Sequence, residues 1–399
     1  RAKADYWDVW SALFGDNFFR VQADWMAQRG VEHTTHLNHE DKAIQLARSE
    51  GDYFRDMRHV QIPGIDVIWN QIWPDSAPAD FPKLASSAAH LFGRPRALSE
   101  SFAAFRPAPS IVQAKWVIDH QIVRGINLFE FMFFLSSARG TIATNGYLGD
   151  PGFPALNSYT HRLSYVLSRG RPMADVALFY PTSSLWLGDA AADSSNLKIA
   201  RTLLERQRDF DWVDETSLTS VLAQKGATLV NQSGQGYRTV LVPSVSVLSK
   251  GALEKLRAFA RAGGKVVFLG RTPRTTSGRT FLHAEGAPDL SWAVVDSVNG
   301  WSDRLAAALP EPDVSLTMPS AGLRYLHRRL NDGDVYFLFN EGSTPISTAV
   351  SLRGAGTVQL WNASDGTADR LSSEMFGRDH VRLTLALAPG ETRLLLISR

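Results

Sequence analysis

The chain has 399 residues, 44% of them apolar and 21% charged, which is an ordinary globular composition with room for two or three domains. A formal net charge of +2 gives no electrostatic reason to expect a nucleic acid or an acidic partner. The absence of cysteine excludes disulfides, thiolate metal sites and a cysteine nucleophile. No apolar run reaches about 18 residues, so we expect no membrane-spanning helix.

The first part of the chain predicts helices alternating with short strands. Apolar residues recur at helical spacing from Tyr6 to Gly30, and helices are also expected at residues 86–93 and 111–123. A turn is expected at residues 62–66, and strands are expected at residues 31–37, 65–70, 97–100 and 126–134. A helix, a short strand and another helix make one unit of a (β/α) barrel, so we predict barrel architecture for residues 1–171.

A complete barrel of this type has eight strands, whereas residues 1–171 supply four. Either the other strands precede Arg1, or the barrel prediction is wrong, because half a barrel leaves its hydrogen-bonding edge open. The chain also starts at Arg1 in a helix-like pattern, without Met or a signal-like segment. We therefore expect the C-terminal half of a (β/α)8 TIM-type barrel in a longer or processed protein.

Residues 172–312 predict a second domain, in which apolar strands alternate with helices as in a parallel α/β sheet of flavodoxin or amidotransferase type. The adjacent glycines Gly263 and Gly264 precede a strand, so they do not form a dinucleotide-binding loop. Without a cysteine nucleophile, we expect this domain to be structural or to make an oligomer contact. From residue 313 to 399 short strands and the hairpin signal Asn331-Asp332-Gly333-Asp334 predict a small antiparallel β-sandwich.

Glu100 is the strongest candidate for catalysis, because it closes the third expected strand. Catalytic groups of barrel enzymes converge at the C-terminal ends of the strands. We predict that Glu100 is a glycosidase carboxylate. The alternative is that Glu100 caps the next helix or pairs with Arg96 or Arg106.

His33, His36, His39 and Glu40 form the most conspicuous cluster of polar residues. Their spacing is not the His-Glu-x-x-His pattern of a zinc protease, so we do not favour a transition-metal site. We expect His36 and His39 to lie at a strand end and to donate hydrogen bonds to sugar hydroxyls. The alternative is that they are ordinary histidines of a surface loop.

Four further positions near the expected strands are candidates for the site. Asp66 would lie at the N-terminal end of the second strand, where residues serve stability, and Asn70 at its C-terminal end, where residues serve function. Trp69 either belongs to the core or stacks on a sugar ring. Glu130 lies in an apolar strand, where a buried carboxyl must be paired or protonated and is a site candidate; if the strand is only half buried, Glu130 has no such role.

The chain resembles glycoside hydrolase family 106, the α-L-rhamnosidases, in several short stretches. These are Gly51-Asp52-Tyr53-Phe54-Arg55, Ile62-Pro63-Gly64-Ile65-Asp66, Ala97-Leu98-Ser99-Glu100, and Asp119-His120-Gln121 with Gly125-Ile126-Asn127. The predicted order of domains is also similar to that of barrel glycosidases of the β-galactosidase type. The motifs lie within about residues 30 to 130, whereas the similarity in architecture covers nearly the whole chain.

The resemblance implies a periplasmic or secreted inverting hydrolase of carbohydrates, with Ca2+ near the bound sugar. Glu100 would be the general base, and the general acid would lie on an earlier strand, before Arg1. The resemblance makes Asp66 and Glu40 candidate calcium ligands, and His36, His39, Asn70, Trp69 and Glu130 candidate substrate contacts. Residues 126–130 lack the histidine expected at that strand end, which leaves the sugar specificity open. The alternatives are a retaining glycosidase of β-galactosidase type, with a closer pair of carboxylates, and a non-catalytic carbohydrate-binding chain.

Overall fold

A computed structural model describes residues 2–76, 79–132, 134–136, 142–144, 146–278, 283 and 285–398. Of the predicted fourth strand, Phe133 lies outside the described residues. None of the described helices is long and apolar enough to cross a membrane.

The chain begins with a nearly continuous helical segment that is interrupted by one π-helical turn, Gly15–Phe19. The helices of the first part are α1 (Ala2–Phe14), α2 (Arg20–Ala27), α3 (Ala43–Ser49), α4 (Tyr53–Met57), α5 (Lys83–Leu91), α6 (Ile111–Ile122) and α7 (Phe153–Leu167). The strands are β1 (Thr34–Thr35), β2 (Ile62–Val67), β3 (Leu98–Ser101), β4 (Leu128–Phe131), β5 (Phe134–Ser136) and β6 (Ile142–Thr144). A 3-10 turn, Gly146–Gly149, precedes α7.

Strands β1 to β4 form one parallel sheet in chain order. Local sequence explains its connecting helices: the Asp52 side chain accepts hydrogen bonds from two backbone amides at the start of α4, and Ser110 and Gln113 form a capping box at the start of α6. In the sheet Asp66 is opposite Glu100, and Glu100 is opposite Glu130. Residues in register on parallel strands point to the same face, so the three carboxylates lie in one row.

The second strand differs from its prediction. Residues 62–66, predicted as a turn, belong to β2, and residues 68–70 follow the strand. A side chain at Gly64 would place its Cβ 2.5 Å from the carbonyl oxygen of Thr35, so glycine is needed here for the close approach of β1. The Pro-Gly pair therefore serves strand packing, and Asp66 moves to the C-terminal half of the strand. The first and fourth strands are also shorter than predicted, at Thr34–Thr35 and Leu128–Phe131.

The middle of the chain contains a five-stranded parallel sheet. Its strands are β8 (Val176–Phe179), β9 (Phe210–Val213), β13 (Thr239–Val242), β15 (Lys265–Leu269) and β17 (Val294–Asp296), in the spatial order β9-β8-β13-β15-β17. Numbered along the chain this order is 2-1-3-4-5, the order of flavodoxin-like sheets. The helices are α8 (Thr182–Trp186), α9 (Ala190–Glu205), α10 (Glu215–Ser220), α11 (Lys250–Arg261) and α12 (Asp303–Ala308).

Two smaller sheets accompany it. They contain β10 (Ala223–Lys225), β11 (Thr228–Val230) and β12 (Gly236–Tyr237), and β14 (Val247–Ser249) with β16 (Thr275–Ser277).

The last part of the chain forms two antiparallel sheets. Their strands are β7 (Arg171–Pro172), β18 (Val314–Leu316), β19 (Leu323–Arg329), β20 (Gly333–Asn340), β21 (Ile346–Arg353), β22 (Thr357–Trp361), β23 (Ala368–Leu371), β24 (Glu374–Phe376), β25 (His380–Leu387) and β26 (Thr392–Ser398). One sheet has the order β18-β21-β25-β24 and the other β23-β22-β26-β20-β19-β7. Apolar side chains from both sheets share one buried cluster, and the predicted hairpin at residues 331–334 joins β19 to β20.

Candidate active site

Four polar side chains meet at the C-terminal ends of β1, β2 and β3, and we call them the strand-end cluster: His36, Glu40, Asp66 and Glu100. His36 directly follows β1, and Asp66 and Glu100 lie opposite each other near the ends of β2 and β3. Because parallel strands end at one edge of a sheet, the topology brings together side chains that are far apart in sequence.

His36 is the centre of the cluster. Its Nε2 lies 3.1 Å from Oε2 of Glu100, and its Nδ1 lies 3.7 Å from Oδ2 of Asp66 and 3.9 Å from Oε1 of Glu40. Nδ1 also lies 3.0 Å from the carbonyl oxygen of Leu37. A carbonyl oxygen only accepts, so this hydrogen bond requires a proton on Nδ1. The bond to Glu100 then contains one further proton, carried either by Nε2 or by the carboxyl group.

Glu40 and Asp66 form the buried side of the cluster. Burial, reinforced by the charge of Asp66, raises the pKa of Glu40 well above its usual value. Burial, and then the charge of Glu100, raises the pKa of Asp66 to about 6. Oε1 of Glu40 accepts a hydrogen bond of 2.7 Å from the amide of Leu37, whereas its buried Oε2 has no hydrogen-bond partner among the described residues. Burial and mutual repulsion therefore disfavour ionisation of both carboxyls together unless positive charge is added beside them.

The same three side chains could hold a metal ion. One ligand atom each from His36, Glu40 and Asp66 lies within 4.8 Å of the others. Asp66, predicted at the stabilising N-terminal end of its strand, lies instead at the end where functional groups meet, because β2 begins three residues earlier than expected.

The alternative interpretation, in which Glu100 forms an ion pair with Arg96, is wrong. Arg96 pairs with Glu32, and the carboxylate of Glu100 contacts the His36 ring. Glu100 is half-buried and lies within a strand.

Two further predicted residues are exposed. His39 is exposed, with a positive φ of 68°, and its charge lowers the pKa of Asp66. Trp69 is 68% exposed, so the interpretation of Trp69 as a core residue is wrong.

Asn70 and Glu130 are not part of the strand-end cluster. The Asn70 side chain accepts a hydrogen bond of 2.8 Å from the amide of Arg106, so it holds the β3–α6 loop in place. Glu130 lies beside Glu100 in register but is exposed, so the expectation of a buried carboxyl is wrong. The reason is that β4 is the last strand of the four-stranded sheet.

Two supporting residues were not predicted from the sequence. The hydroxyl of Tyr53 donates a hydrogen bond of 2.7 Å to the carbonyl oxygen of Gly64 beneath the cluster, and burial and the nearby Glu40 raise its pKa. Gln121 donates to the Ser101 hydroxyl, next to Glu100. Both lie in the stretches that resemble family 106, but nothing in the local sequence specifies the atoms they contact.

Comparison with protein families gives a match to glycoside hydrolase family 106, alpha-L-rhamnosidase, over residues 153–375. This match covers more than half of the chain. The chain belongs to this family. Comparison with curated protein sequences found no match. The match to family 106 begins at residue 153, after the four residues of the strand-end cluster. Support for the roles of these four residues therefore comes from their geometry and not from the family match.

Solved structures share the fold. The rhamnosidase from Novosphingobium sp. PP1Y is 21% identical, with a TM-score of 0.75 over 97% of this chain and 39% of that chain. A GH42 beta-galactosidase from G. stearothermophilus is 13% identical (TM-score 0.54; 87% of this chain, 61% of that one), and a beta-galactosidase from the psychrophilic Marinomonas ef1 is 11% identical (TM-score 0.56; 96% and 66%). This member of family 106 therefore spans about two fifths of the length of the rhamnosidase that it resembles.

Proposed function

We propose that this chain belongs to a glycoside hydrolase that removes terminal α-L-rhamnosyl residues with inversion, and that Glu100 is the general base. The observation that carries the proposal is the position of Glu100 at the end of β3, bonded to His36 and in register with Asp66. Its family supports the same substrate class. Because of its resemblance to family 106, we also propose that the enzyme acts in the periplasm or outside the cell.

We propose a domain arrangement consistent with this activity. The parallel sheet β1–β4 with its helices would be the C-terminal half of a (β/α)8 barrel within residues 1–171. A flavodoxin-like domain at 172–312 and a β-sandwich at 313–399 would follow. The parallel strand order of each α/β sheet and the similarity to solved β-galactosidases support this division.

In the proposed reaction the ionised carboxylate of Glu100 takes a proton from water while the water oxygen attacks the anomeric carbon. The bond from that carbon to the leaving oxygen breaks, and a second carboxylic acid protonates the leaving oxygen. His36 orients the Glu100 carboxylate through Nε2 and is itself fixed by the bond from Nδ1 to the Leu37 carbonyl oxygen. We propose that the exposed Trp69 ring and His39 contact the sugar and that the exposed Glu130 contacts a more distant part of the substrate.

We propose that Glu40 and Asp66 hold Ca2+. The unpartnered buried oxygen of Glu40 and the raised pKa of both carboxyls fit a site that is completed by a cation. Calcium prefers oxygen ligands, so the two carboxylates fit it better than the His36 ring, whose Nδ1 already bonds to the Leu37 carbonyl oxygen. When bound, the ion would supply positive charge that orients sugar hydroxyl oxygens.

Calcium should therefore stabilise the protein as well as support turnover. After treatment with EDTA, adding millimolar CaCl2 should raise the melting temperature by several degrees, because a ligand that binds only the folded state stabilises it. Glu40→Gln should abolish this shift, whereas Glu254→Gln, which changes an exposed glutamate on α11, should retain it. A melting temperature that does not respond to calcium in the unchanged protein would remove the metal from the proposal.

The proposed substrate class is tested by hydrolysis of 4-nitrophenyl glycosides with the protein at its natural length. We expect cleavage of the α-L-rhamnoside and not of the β-D-galactoside, and NMR of the first product should show the inverted anomer. Cleavage of the β-D-galactoside with retention would instead support the β-galactosidase type, whose solved structures this chain also resembles in fold. Sugar binding without turnover of any glycoside would indicate a carbohydrate-binding protein.

A further inference from the structure

A buried histidine lies between two carboxylates in the last part of the chain. His327 on β19 is fully buried. Its Nδ1 lies 2.9 Å from Oδ2 of Asp313, the residue before β18, and its Nε2 lies 2.8 Å from Oδ1 of Asp334 on β20. Both ring nitrogens therefore face carboxylate oxygens at hydrogen-bond distance.

The two contacts of His327 need two protons. An ionised carboxylate only accepts hydrogen bonds, so each nitrogen that faces one must carry a proton. A neutral imidazole has a single N–H group, whereas an imidazolium has two. The second proton is therefore either on the ring or on one of the two carboxyl groups.

Arginines beside the carboxyl groups decide between these two positions. Nη1 of Arg353 lies 2.7 Å from Oδ1 of Asp313, and Nε of Arg329 lies 2.7 Å from Oδ1 of Asp334. Burial opposes the ionisation of both carboxyls, but the hydrogen bonds and charge of His327, together with the arginine charges, outweigh it and lower the pKa of each. Both carboxyls are therefore ionised at pH 7, which leaves the second proton on the histidine ring.

The surroundings of the ring favour its charged form. Burial alone would lower the pKa of His327, but the hydrogen bonds and charges of Asp313 and Asp334 outweigh burial and raise this pKa. The ring of Tyr336 stacks on the imidazole, with 4.1 Å between the ring centres, and the face of an aromatic ring attracts a cation.

Three further charged or titratable groups act on this network from neighbouring elements. Tyr325 lies close enough to Asp313 for the negative charge of Asp313 to act on it, and burial together with this charge raises its pKa, so Tyr325 is neutral. The charges of Arg208 and Asp175 have opposite signs and act on each other as well as on the network. Tyr336 is also kept neutral by burial, which raises its pKa. His327 is therefore the group whose charge changes most readily above neutral pH.

The same network joins the antiparallel sheets to both ends of the middle part of the chain. Nη1 of Arg353 lies 3.0 Å from Oδ2 of Asp175, the residue before β8, and Nη2 of Arg353 donates to the carbonyl oxygen of Glu311. The backbone amide of Arg353 donates to the carbonyl oxygen of Asp313. His327, Asp313 and Arg353 thus connect β19 and β21 to the segments that lead into and out of the five-stranded sheet.

We propose that His327 is the titrating group of a latch between the antiparallel sheets and the five-stranded parallel sheet, closed while its ring carries two protons and loosened when the ring loses one. The lost proton passes to solvent, and one carboxylate then faces a bare ring nitrogen without a donor between them. A buried acceptor that loses its donor destabilises the contact in which it lies. This inference is independent of the proposed glycosidase function.

The latch should loosen on the alkaline side of neutral. A histidine in an unfolded chain titrates near about pH 6.5, and the folded pKa of His327 is higher. The stabilisation by its charge is therefore fully present below about pH 6.5 and is lost as the pH rises through the folded pKa. The two carboxyls have lowered folded pKa values, so their contribution is lost only in acid, below about pH 4.

The test compares the melting temperatures of the unchanged protein and of His327→Gln, both at natural length, from pH 6 to pH 9. The amide of glutamine is neutral throughout this range. The variant should melt several degrees lower at pH 6, and the difference should shrink as the pH rises, because the unchanged protein loses its own charge there. A difference that stays constant with pH would overturn the charge on His327, and no difference at any pH would overturn the latch.

His161→Gln is the control for the histidine substitution. His161 is exposed on α7, so its replacement should change neither the melting temperature nor the pH dependence of melting by a measurable amount.

Amide hydrogen exchange locates the effect and needs no variant, so it also serves if His327→Gln does not fold. In the unchanged protein, peptides that cover residues 171–176 and 310–316 should exchange about threefold or more faster at pH 9 than at pH 6, after correction for the intrinsic effect of pH on exchange. Peptides that cover α11, which is remote from this network in sequence, should not. Equal acceleration in α11, or none at the two segments, would overturn the latch.

Discussion

Replacing Glu100 with glutamine should reduce kcat for an aryl α-L-rhamnoside by about two to four orders of magnitude, the usual contribution of a general acid or base. The amide has nearly the same shape as the carboxylate, but it cannot take a proton from water. A glutamine can still form a hydrogen bond with Nε2 of His36, which lies 3.1 Å from the carboxylate, so the fold should be retained. The measurement is steady-state kinetics beside a thermal melt of each protein.

The control for this experiment is Glu254→Gln, which makes the same chemical change at an exposed position on α11. It should leave kcat within a factor of two or so, because surface substitutions away from special features have small effects. If Glu100→Gln folds and cleaves as fast as the unchanged protein, Glu100 is structural. The base would then have to be sought at Glu40, Asp66 or Glu130.

Local sequence patterns predicted most of the fold, because helices and buried strands depend on nearby residues. The strands Thr239–Val242 and Lys265–Leu269 belong to the parallel sheet that was predicted for residues 172–312, and the capping box of Ser110 starts the helix that was predicted at residues 111–123. The Pro63-Gly64 pair was wrongly predicted to lie in a turn, whereas it lies in strand β2. Its glycine is required by the carbonyl oxygen of Thr35, 29 residues away in the sequence, and no local pattern records that contact.

The sequence indicated which residues belong to the candidate site, but it did not indicate which of them contact each other. Glu100 and His36 were both singled out, yet their contact joins residues 64 positions apart and depends on the parallel pairing of β1, β2 and β3. The exposure of Glu130 depends on what lies beyond β4 in the sheet, which its apolar neighbours in sequence cannot indicate. Pairing between strands, rather than composition, decides which carboxylates meet.

Long-range charge networks were the least predictable feature. Arg124, in the turn after α6, joins Asp80 to Glu341, and the latter contact spans 217 residues. In sequence these are ordinary charged residues. In the structure Arg124 is almost fully buried and also donates to the carbonyl oxygen of His120, so it links the first part of the chain to the last.

Replacing Arg124 with methionine should therefore lower the free energy of unfolding by about 3 to 5 kcal/mol, the usual cost of removing one partner from a buried ion pair. Methionine keeps much of the side-chain volume, but it leaves two buried carboxylates with less positive charge around them. The measurement is urea unfolding at pH 7, followed both by tryptophan fluorescence and by far-UV circular dichroism. Arg96→Met is the matched control, because Arg96 pairs with Glu32 at the surface, and it should cost less than about 1 kcal/mol.

The two unfolding signals also separate a local effect from a loss of coupling between the parts of the chain. In the unchanged protein Glu341 contacts Arg124 in the turn after α6, Arg201 on α9 and Arg324 on β19, so we expect the three parts to unfold together. Without Arg124 the remaining contacts of Glu341 are to α9 and β19 and to the neutral His120, so the first part should unfold at a lower urea concentration than the rest. A single transition with an unchanged midpoint would mean that apolar packing, rather than this charge network, joins the parts.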